Sequence, residues 1–145
     1  MFSFSKMQKE HLDEVAKISH QQFPKTSWSV SQFSEGMDQS YICLYEKEVV
    51  GFLALQRTTY EMTILNIAVK EEFKRKHIAT SLLLLAKDVA KQNNMESIFL
   101  EVETNNEPAL RFYEKNGFEL LRKRSNYYKD GSSCFEMKMN IVSKK

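Results

Sequence analysis

The chain has few cysteines, little net charge and no long apolar run, and each absence excludes a class of protein. Cys43 and Cys134 are far apart and lack metal-ligand spacing, so we expect neither a disulfide scaffold nor a metal site. Lysine and arginine number 21 against 19 acidic residues. A net charge of +2 is too small for the basic field of a dedicated nucleic-acid-binding protein, so we expect no direct nucleic-acid binding.

Membrane insertion and export are also disfavoured. No run of about 18 apolar residues is present, and the opening residues lack the basic head and apolar stretch of a signal peptide. We therefore expect a cytoplasmic protein with no membrane partner. With 145 residues, 42% of them hydrophobic, and no repeats or linkers, the chain is expected to form a single domain over residues 1–145.

Periodicity predicts the elements of the first half. Leu12, Val15 and Ile18 recur at helical spacing, and Ser29 with Gln32 has the spacing of a capping box. The predicted elements are a strand over Phe2–Ser5, helices over Gln8–Phe23 and Ser29–Met37, and strands over Tyr41–Tyr45, Glu48–Gln56 and Met62–Val69.

The second half predicts helices alternating with strands. The nearly all-apolar run 98–102 is typical of a strand buried on both faces, and Asn105 or Asn106 is a typical helix N-cap. The predicted elements are a helix from Ile78 to near Gln92, a strand over Ile98–Val102, a helix ending at Asn116-Gly117, and strands over Phe118–Lys129 and Ser133–Ile141 around the turn Lys129-Asp130-Gly131. We infer an α/β fold: a mixed, mostly antiparallel sheet flanked by helices, with parallel strands on either side of the Ile78 helix.

Three features are candidates for chemistry. Lys74, Arg75 and Lys76 lie between a strand and a helix N-terminus, which suits a pyrophosphate but equally a solvated basic loop. Glu101 interrupts an apolar strand, where partial burial would raise its pKa and make it a better proton acceptor; its side chain reaching solvent or pairing with a lysine is the alternative. Tyr113 is compatible with either a functional role or core packing.

The runs LNIAVKEEFKRKHIATSLL and IFLEVETNNEPALRFYEKNGFELLRKRSNYYKDG resemble the GCN5-related N-acetyltransferases (GNAT). More narrowly, they are similar to the bacterial ribosomal-protein alanine N-acetyltransferases called RimI. The resemblance implies the GNAT acyl-CoA N-acyltransferase fold with a splayed sheet, acetyl-CoA as cosubstrate without a metal, and direct transfer in a ternary complex. The acceptor it implies is a protein N-terminus, for which an alanine of a ribosomal protein is the particular candidate.

The same resemblance implies roles for individual residues. Glu101 matches the proton acceptor, Tyr113 the proton donor, and Asn106 a residue near the thioester end of the cofactor. The backbone that holds pantetheine matches Ile67, Ala68 and Val69, and the pyrophosphate-binding turn matches Arg75, Lys76, His77, Ile78, Ala79 and Thr80. On the substrate side, the matching residues are Trp28, Tyr127 and Tyr128, although the two tyrosines would also serve to pack a sheet from opposite faces of a strand.

His77 departs from the family pattern, which has glycine at this point of the turn. Two arrangements accommodate a side chain there: it points away from an ordinary helical backbone, or its imidazole donates a hydrogen bond to a phosphate. We expect the first. Neither cysteine is marked as an activated nucleophile, so an acetyl-cysteine intermediate is not expected.

Three hypotheses remain for function. The first is an N-terminal acetyltransferase for a ribosomal protein, and the second is a related enzyme that acetylates a small amine or an antibiotic. The third is a non-catalytic module that binds acyl-CoA, against which the joint presence of Glu101, Asn106 and Tyr113 argues. A homodimer is compatible with each of them.

Overall fold

The computed structural model describes residues 1–128 and 131–141. Its strands are β1 (Phe2–Lys6), β2 (Tyr41–Tyr45), β3 (Glu48–Arg57), β4 (Glu61–Val69), β5 (Ser97–Glu103), β6 (Glu119–Arg124) and β7 (Cys134–Asn140). Its α-helices are α1 (Leu12–Gln22), α2 (Val30–Glu35), α3 (Ile78–Gln92) and α4 (Glu107–Lys115), and single turns of 3-10 helix cover Lys9–His11, Met37–Gln39 and Glu71–Phe73. None of the described helices is long and apolar enough to cross a lipid bilayer.

The strands form a seven-stranded mixed sheet in the order β1-β2-β3-β4-β5-β7-β6. The predicted fold class is therefore confirmed, as is the parallel pairing of β4 with β5, the strands on either side of α3. The chain divides into two compact units, Met1–Arg57 with Leu65–Ala86 and Thr58–Ile64 with Lys87–Lys145.

The core of the first unit is built on the predicted apolar face of α1. Leu12, Val15 and Ile18 are buried in one cluster with Phe33 and Phe52. The two phenylalanine rings meet edge to face with their centroids 5.0 Å apart, an arrangement that adds attraction to the burial. This cluster joins α1 and α2 to β3.

Helix α2 begins with the predicted capping box. The Ser29 hydroxyl accepts a hydrogen bond from the amide of Gln32, and the Gln32 side chain accepts one from the amide of Ser29. Both interactions satisfy backbone N–H groups that the first turn of a helix leaves unpaired. The helix ends at Glu35, two residues before the predicted end at Met37.

Gly51 lets β3 lie close to β4 and α3. A Cβ atom at this position would lie 3.2 Å from the Ala68 carbonyl oxygen in β4, and 3.5 Å from both Ile78 Cγ2 and Leu82 Cδ1 in α3. The missing side chain therefore sets the packing distance at the end of β4 and the start of α3.

In the second unit, β5 lies between the first half of β4 and β7. The register of β5 with β7 places Glu101 opposite Glu136, and that of β7 with β6 places Arg122 beside Glu136. Because paired residues project to the same face of a sheet, Glu101, Glu136 and Arg122 form one cross-strand row.

The expectation that β5 is buried on both faces is wrong. Ile98, Leu100 and Val102 are buried on one face, whereas Phe99 is only partly buried and Glu101 is exposed on the other. The sequence did not show this alternation of buried and less buried residues, because Phe99 is apolar although it lies on the less buried face.

The hairpin was also predicted with too long a first strand. Strand β6 ends at Arg124 rather than at Lys129. Asn126 has a φ of 53°, a left-handed conformation that an extended strand cannot contain, and its amide donates a hydrogen bond to the Ser133 hydroxyl. Of the predicted turn, Lys129 and Asp130 lie outside the described residues.

Helix α4 has the predicted cap and stop. The Asn106 Oδ1 atom accepts a hydrogen bond from the amide of Ala109 at 3.3 Å. Gly117 follows the helix at a φ of 98°, and the Lys87 ammonium donates a hydrogen bond to the Asn116 carbonyl at 2.9 Å. A left-handed glycine and a cation both satisfy the unpaired carbonyl groups at a helix C-terminus.

Candidate active site

The turn between β4 and α3 has left-handed backbone at two residues that carry side chains. Arg75 has a φ of 66° and His77 a φ of 61°. The expectation that His77 lies on an ordinary helical backbone is therefore wrong. The turn keeps the conformation that favours glycine, at a cost of about 1–2 kcal/mol for a residue with a Cβ atom.

The start of this turn is fixed by hydrogen bonds to the end of α1. Gln21 accepts a hydrogen bond from the amide of Glu71 at 3.1 Å, and Gln22 donates one to the Glu71 carboxylate at 3.2 Å. The Lys74 ammonium lies 3.3 Å from the same carboxylate. The amide of Gln22 and the ammonium of Lys74 lower the pKa of Glu71, so this anchor stays ionised.

The rest of the turn presents its cations to solvent. Arg75, Lys76 and His77 are exposed, and none of them forms an ion pair with a residue in the described part of the chain. Ile78 is buried, and Ala79 and Thr80 are partly buried at the start of α3, where amides have no partner within the helix. In β4, Ala68 and Val69 are buried and Ile67 is partly buried. The first unit thus offers free cations beside free backbone N–H groups, a donor set that suits a phosphate anion.

Glu101 in β5 is exposed, so the partial burial considered from its sequence context is wrong. Its Oε1 atom accepts a hydrogen bond from the Tyr127 hydroxyl at 3.0 Å. No described residue donates a hydrogen bond to the second carboxylate oxygen, Oε2. One oxygen of the carboxylate is held, and the other is open to accept a proton.

An ion-pair cluster of one mostly buried carboxylate and two exposed arginines lies beside this carboxylate. Glu136 has only 13% of its side chain exposed and binds two guanidinium groups, with Arg122 Nε at 3.2 Å and Arg124 Nη2 at 2.9 Å. The same Arg124 guanidinium lies over the Tyr127 ring, 5.8 Å from its centroid. The two arginines therefore offset the negative charge that Glu136 places opposite Glu101, and Arg124 also supports the Tyr127 ring.

Tyr127 and Tyr128 lie in a loop, not on opposite faces of a strand as the sequence suggested. Their rings meet edge to face at 5.1 Å. The Tyr128 amide donates a hydrogen bond to the Ser132 carbonyl at 3.0 Å, and the Gly131 amide donates one back to the Tyr128 carbonyl at 2.9 Å. Burial, followed by the negative charges nearby, raises the pKa of Tyr128 well above its usual range.

Tyr113 combines packing with an available hydroxyl. The residue is 9% exposed, and its ring contacts Phe112 at 5.3 Å and Phe118 at 5.8 Å between centroids. Burial raises its pKa far above the usual range, so the phenol keeps its proton. Its hydroxyl forms no hydrogen bond with the described residues. The core-packing interpretation is therefore correct for the Tyr113 ring, but it does not account for the hydroxyl.

The remaining candidates have structural surroundings of their own. Trp28 is partly buried in the first unit, where its ring packs on Phe33 at 5.1 Å and its amide donates a hydrogen bond to the Ser19 hydroxyl. Cys43 and Cys134 are buried and do not form a disulfide with each other. Burial raises the pKa of Cys43 to about 11, so its reactive thiolate is scarce near neutral pH.

The structure thus joins two predicted residues, Glu101 and Tyr127, and adds a group that the sequence did not indicate. The basic run 122–124 is typical of a solvated strand face, and nothing in the sequence connects it with Glu136. Only the register of β6 with β7 brings the two arginines to the carboxylate of Glu136. Knowledge of that register would have identified them, because residues 122 and 136 then project to the same face.

The seven-stranded mixed sheet with helices on its faces is the fold of the acetyltransferases of the GNAT type. The sequence profile of the Acetyltransferase (GNAT) family matches residues 6–118. The chain belongs to this family and is an N-acetyltransferase, as the sequence motifs predicted.

Individual relatives agree with this assignment. An N-alpha-acetyltransferase of Saccharolobus solfataricus is 28% identical over 152 residues, covering 94% of this chain and 91% of that protein. The ribosomal protein bS18-alanine N-acetyltransferase of Escherichia coli is 28% identical over 104 residues, covering 70% of each chain. The crystal structure of Ard1 from Thermoplasma volcanium superimposes with a TM-score of 0.91 at 25% identity, covering 98% of this chain and 99% of that chain.

Proposed function

We propose that this protein transfers the acetyl group of acetyl-CoA to the α-amine at the N-terminus of another protein. The observation that carries the proposal is the Glu101 carboxylate, which is exposed, has one oxygen held by Tyr127, and leaves the other for an incoming amine. Relatives named N-alpha-acetyltransferase and bS18-alanine N-acetyltransferase support the protein N-terminus as the acceptor class. An alanine of a ribosomal protein is the specific substrate to test first.

The turn after β4 is the proposed seat of the cofactor pyrophosphate. Its donors are the amides at residues 78–80 together with the side chains of Arg75 and Lys76, which are exposed and free of ion pairs within the described residues. Lys74 contributes less, because Glu71 already offsets its charge. The backbone of Ile67, Ala68 and Val69 takes the pantetheine arm, and the amide of Val69 is the proposed donor to the tetrahedral oxyanion.

The proposed base suits an α-amine better than a lysine side chain. An α-amine has an ordinary pKa of about 7.7 to 8.0, so a sizeable fraction is already neutral near physiological pH. A lysine ε-amine, with an ordinary pKa near 10.4, needs a far stronger depression before it can attack a thioester. Glu101 is exposed, so it is accessible to take the proton of the amine directly or through a water molecule.

Tyr113 is proposed to bind the CoA thiolate that leaves when the thioester bond breaks. A thiol has an ordinary pKa near 8.5, well below the raised pKa of the buried Tyr113 phenol. Complete proton transfer from Tyr113 is therefore uphill. The phenol instead stabilises the thiolate through a charge-assisted hydrogen bond, and solvent supplies the proton to the free thiol.

An acceptor panel tests the proposed substrate class. The protein is incubated with acetyl-CoA and short peptides that differ only at the first residue, together with a set of polyamines. We expect acetylation of peptides, with alanine among the preferred first residues, and little turnover of polyamines. Selective turnover of polyamines would assign the enzyme to small amines, and no turnover of any acceptor would contradict the proposed function.

A further inference from the structure

One side chain of the loop that follows β6, that of Tyr127, contacts the proposed base Glu101. Tyr127 is 43% exposed, yet its hydroxyl is directed to Glu101 at 3.0 Å. The residues are 26 positions apart in sequence, so the contact depends on the sheet register and the loop conformation. Burial, followed by the hydrogen bond to Glu101, raises the pKa of Tyr127, which keeps the phenol protonated and able to donate.

Three contacts fix the position of Tyr127. Its ring packs edge to face on Tyr128, and the Arg124 guanidinium lies over it at 5.8 Å. Arg124 is held in turn by Glu136, whose carboxylate it meets at 2.9 Å. The amide of Asn126, the preceding residue, is anchored on the Ser133 hydroxyl at 3.2 Å. The hydroxyl is therefore presented to Glu101 by a side chain with little freedom to swing away.

From this arrangement we infer that Tyr127 is a positioning residue for the proposed base: it holds Oε1 of Glu101 and so assigns proton acceptance to Oε2. This inference rests on the proposed function and extends it. The hydrogen bond that Tyr127 donates fixes the orientation of the Glu101 carboxylate relative to an incoming amine. It also restricts the rotation of an exposed side chain, whose free rotamers would otherwise reduce the productive fraction.

Charged groups of both signs surround Glu101. Acidic groups lie on its own strand and on β7, and the two arginines of β6 form ion pairs with Glu136. The titratable and charged groups around it are Glu103 on β5, Cys134, Glu136 and Lys138 on β7, Arg122 and Arg124 on β6, and Tyr127 and Tyr128 in the loop. Tyr127 is the one described side chain that donates a hydrogen bond to Glu101.

The test compares kcat and KM of the wild type and Tyr127→Phe with the best peptide from the acceptor panel. The phenyl ring preserves packing on Tyr128 and beneath Arg124, so only the hydroxyl is lost. We expect the KM of the peptide to stay within about twofold of the wild-type value, because the lost hydroxyl positions the base and not the acceptor. We also expect kcat to fall several-fold while the dissociation constant of acetyl-CoA is unchanged.

Companion variants separate this inference from the proposed function. Glu101→Gln removes the base and is expected to lower kcat by about 100-fold or more. Glu103→Gln, on the same face of β5, is the matched control and is expected to keep the wild-type kcat and KM. If Glu101→Gln loses activity while Tyr127→Phe keeps the wild-type kcat, the positioning role is wrong and the proposed function stands. If Glu101→Gln turns over as fast as the wild type, the base assignment and the inference both fail.

Discussion

The carbonyl oxygen of His77 accepts a hydrogen bond from the amide of Ser81 at 3.1 Å, which begins the hydrogen-bond ladder of α3. His77 itself has a φ of 61°, so a residue with an exposed side chain occupies a left-handed position at the helix start. Replacement by glycine removes a Cβ atom from this conformation without removing the backbone acceptor.

We predict that His77→Gly raises the free energy of unfolding by about 1 kcal/mol. Urea denaturation at constant m-value measures the change. The control is His77→Ala, which keeps the Cβ atom and is expected to show no comparable gain. A loss of stability in His77→Gly would mean that the imidazole makes contacts that outweigh the backbone strain.

The same variant decides whether the imidazole is a ligand. Because glycine relieves the left-handed strain at this position and lets the backbone approach a phosphate closely, acetyl-CoA binding is expected to be unchanged or tighter in His77→Gly. Calorimetric titration measures this directly. A tenfold weaker affinity, about 1.4 kcal/mol, would show instead that the histidine donates to a phosphate.

Gly51→Ala is predicted to lower the free energy of unfolding by about 1–3 kcal/mol, because the new methyl group overpacks the Ala68 carbonyl. Weaker acetyl-CoA binding should accompany the loss, since the contact lies at the end of β4 and the start of α3. Gly36→Ala is the matched control, because its nearest neighbour, the Leu55 carbonyl oxygen, is 3.9 Å away. Equal effects in the two variants would contradict the close packing inferred at Gly51.

Asn106 has two separable groups. Its Oδ1 atom caps α4, whereas its Nδ2 atom is not used by the described residues. Asn106→Asp is predicted to keep the cap, with stability within about 0.5 kcal/mol, but to weaken acetyl-CoA binding through loss of the amide donor. Asn106→Ala should lose about 1 kcal/mol of stability as well. Wild-type affinity in Asn106→Asp would show that Asn106 serves the fold alone.

Tyr113→Phe is predicted to keep thermal stability and acetyl-CoA affinity while lowering kcat by about tenfold or more. The ring contacts to Phe112 and Phe118 survive the change, and only the hydroxyl is removed. Because its pKa is raised, Tyr113 stays protonated below about pH 10. Its ionisation therefore does not lower the wild-type rate at any pH below that value. An unchanged kcat in the variant would show that Tyr113 contributes only through the packing of its ring.

Local signals in the sequence were sufficient where one element determines its own structure. The Ser29-Gln32 capping box and the Asn106 cap involve residues three apart, and the helix-period apolar residues of α1 lie in the core as expected. Such features depend on short-range hydrogen bonds and on burial of one helix face, both of which are visible in spacing.

Side-chain contacts that depend on the register between distant strands were not visible in the sequence. The exposure of Glu101 follows from which face of β5 packs on the core, and the bond from Tyr127 follows from the end of β6 at Arg124. The ion pairs of Glu136 with Arg122 and Arg124 require a register that no residue pattern in the chain specifies. The family pattern has glycine at the position of His77, but a residue with a Cβ atom was expected to adopt helical backbone there, so the left-handed conformation was missed.

The most direct test of the proposed function is the site of acetylation on a peptide that offers both amines. A peptide beginning with alanine and carrying one internal lysine is incubated with the protein and acetyl-CoA, and the product is fragmented in a mass spectrometer. Acetyl on the N-terminal α-amine, abolished in Glu101→Gln, is the predicted result. Acetyl on the lysine alone, or equal modification by Glu101→Gln, would contradict it.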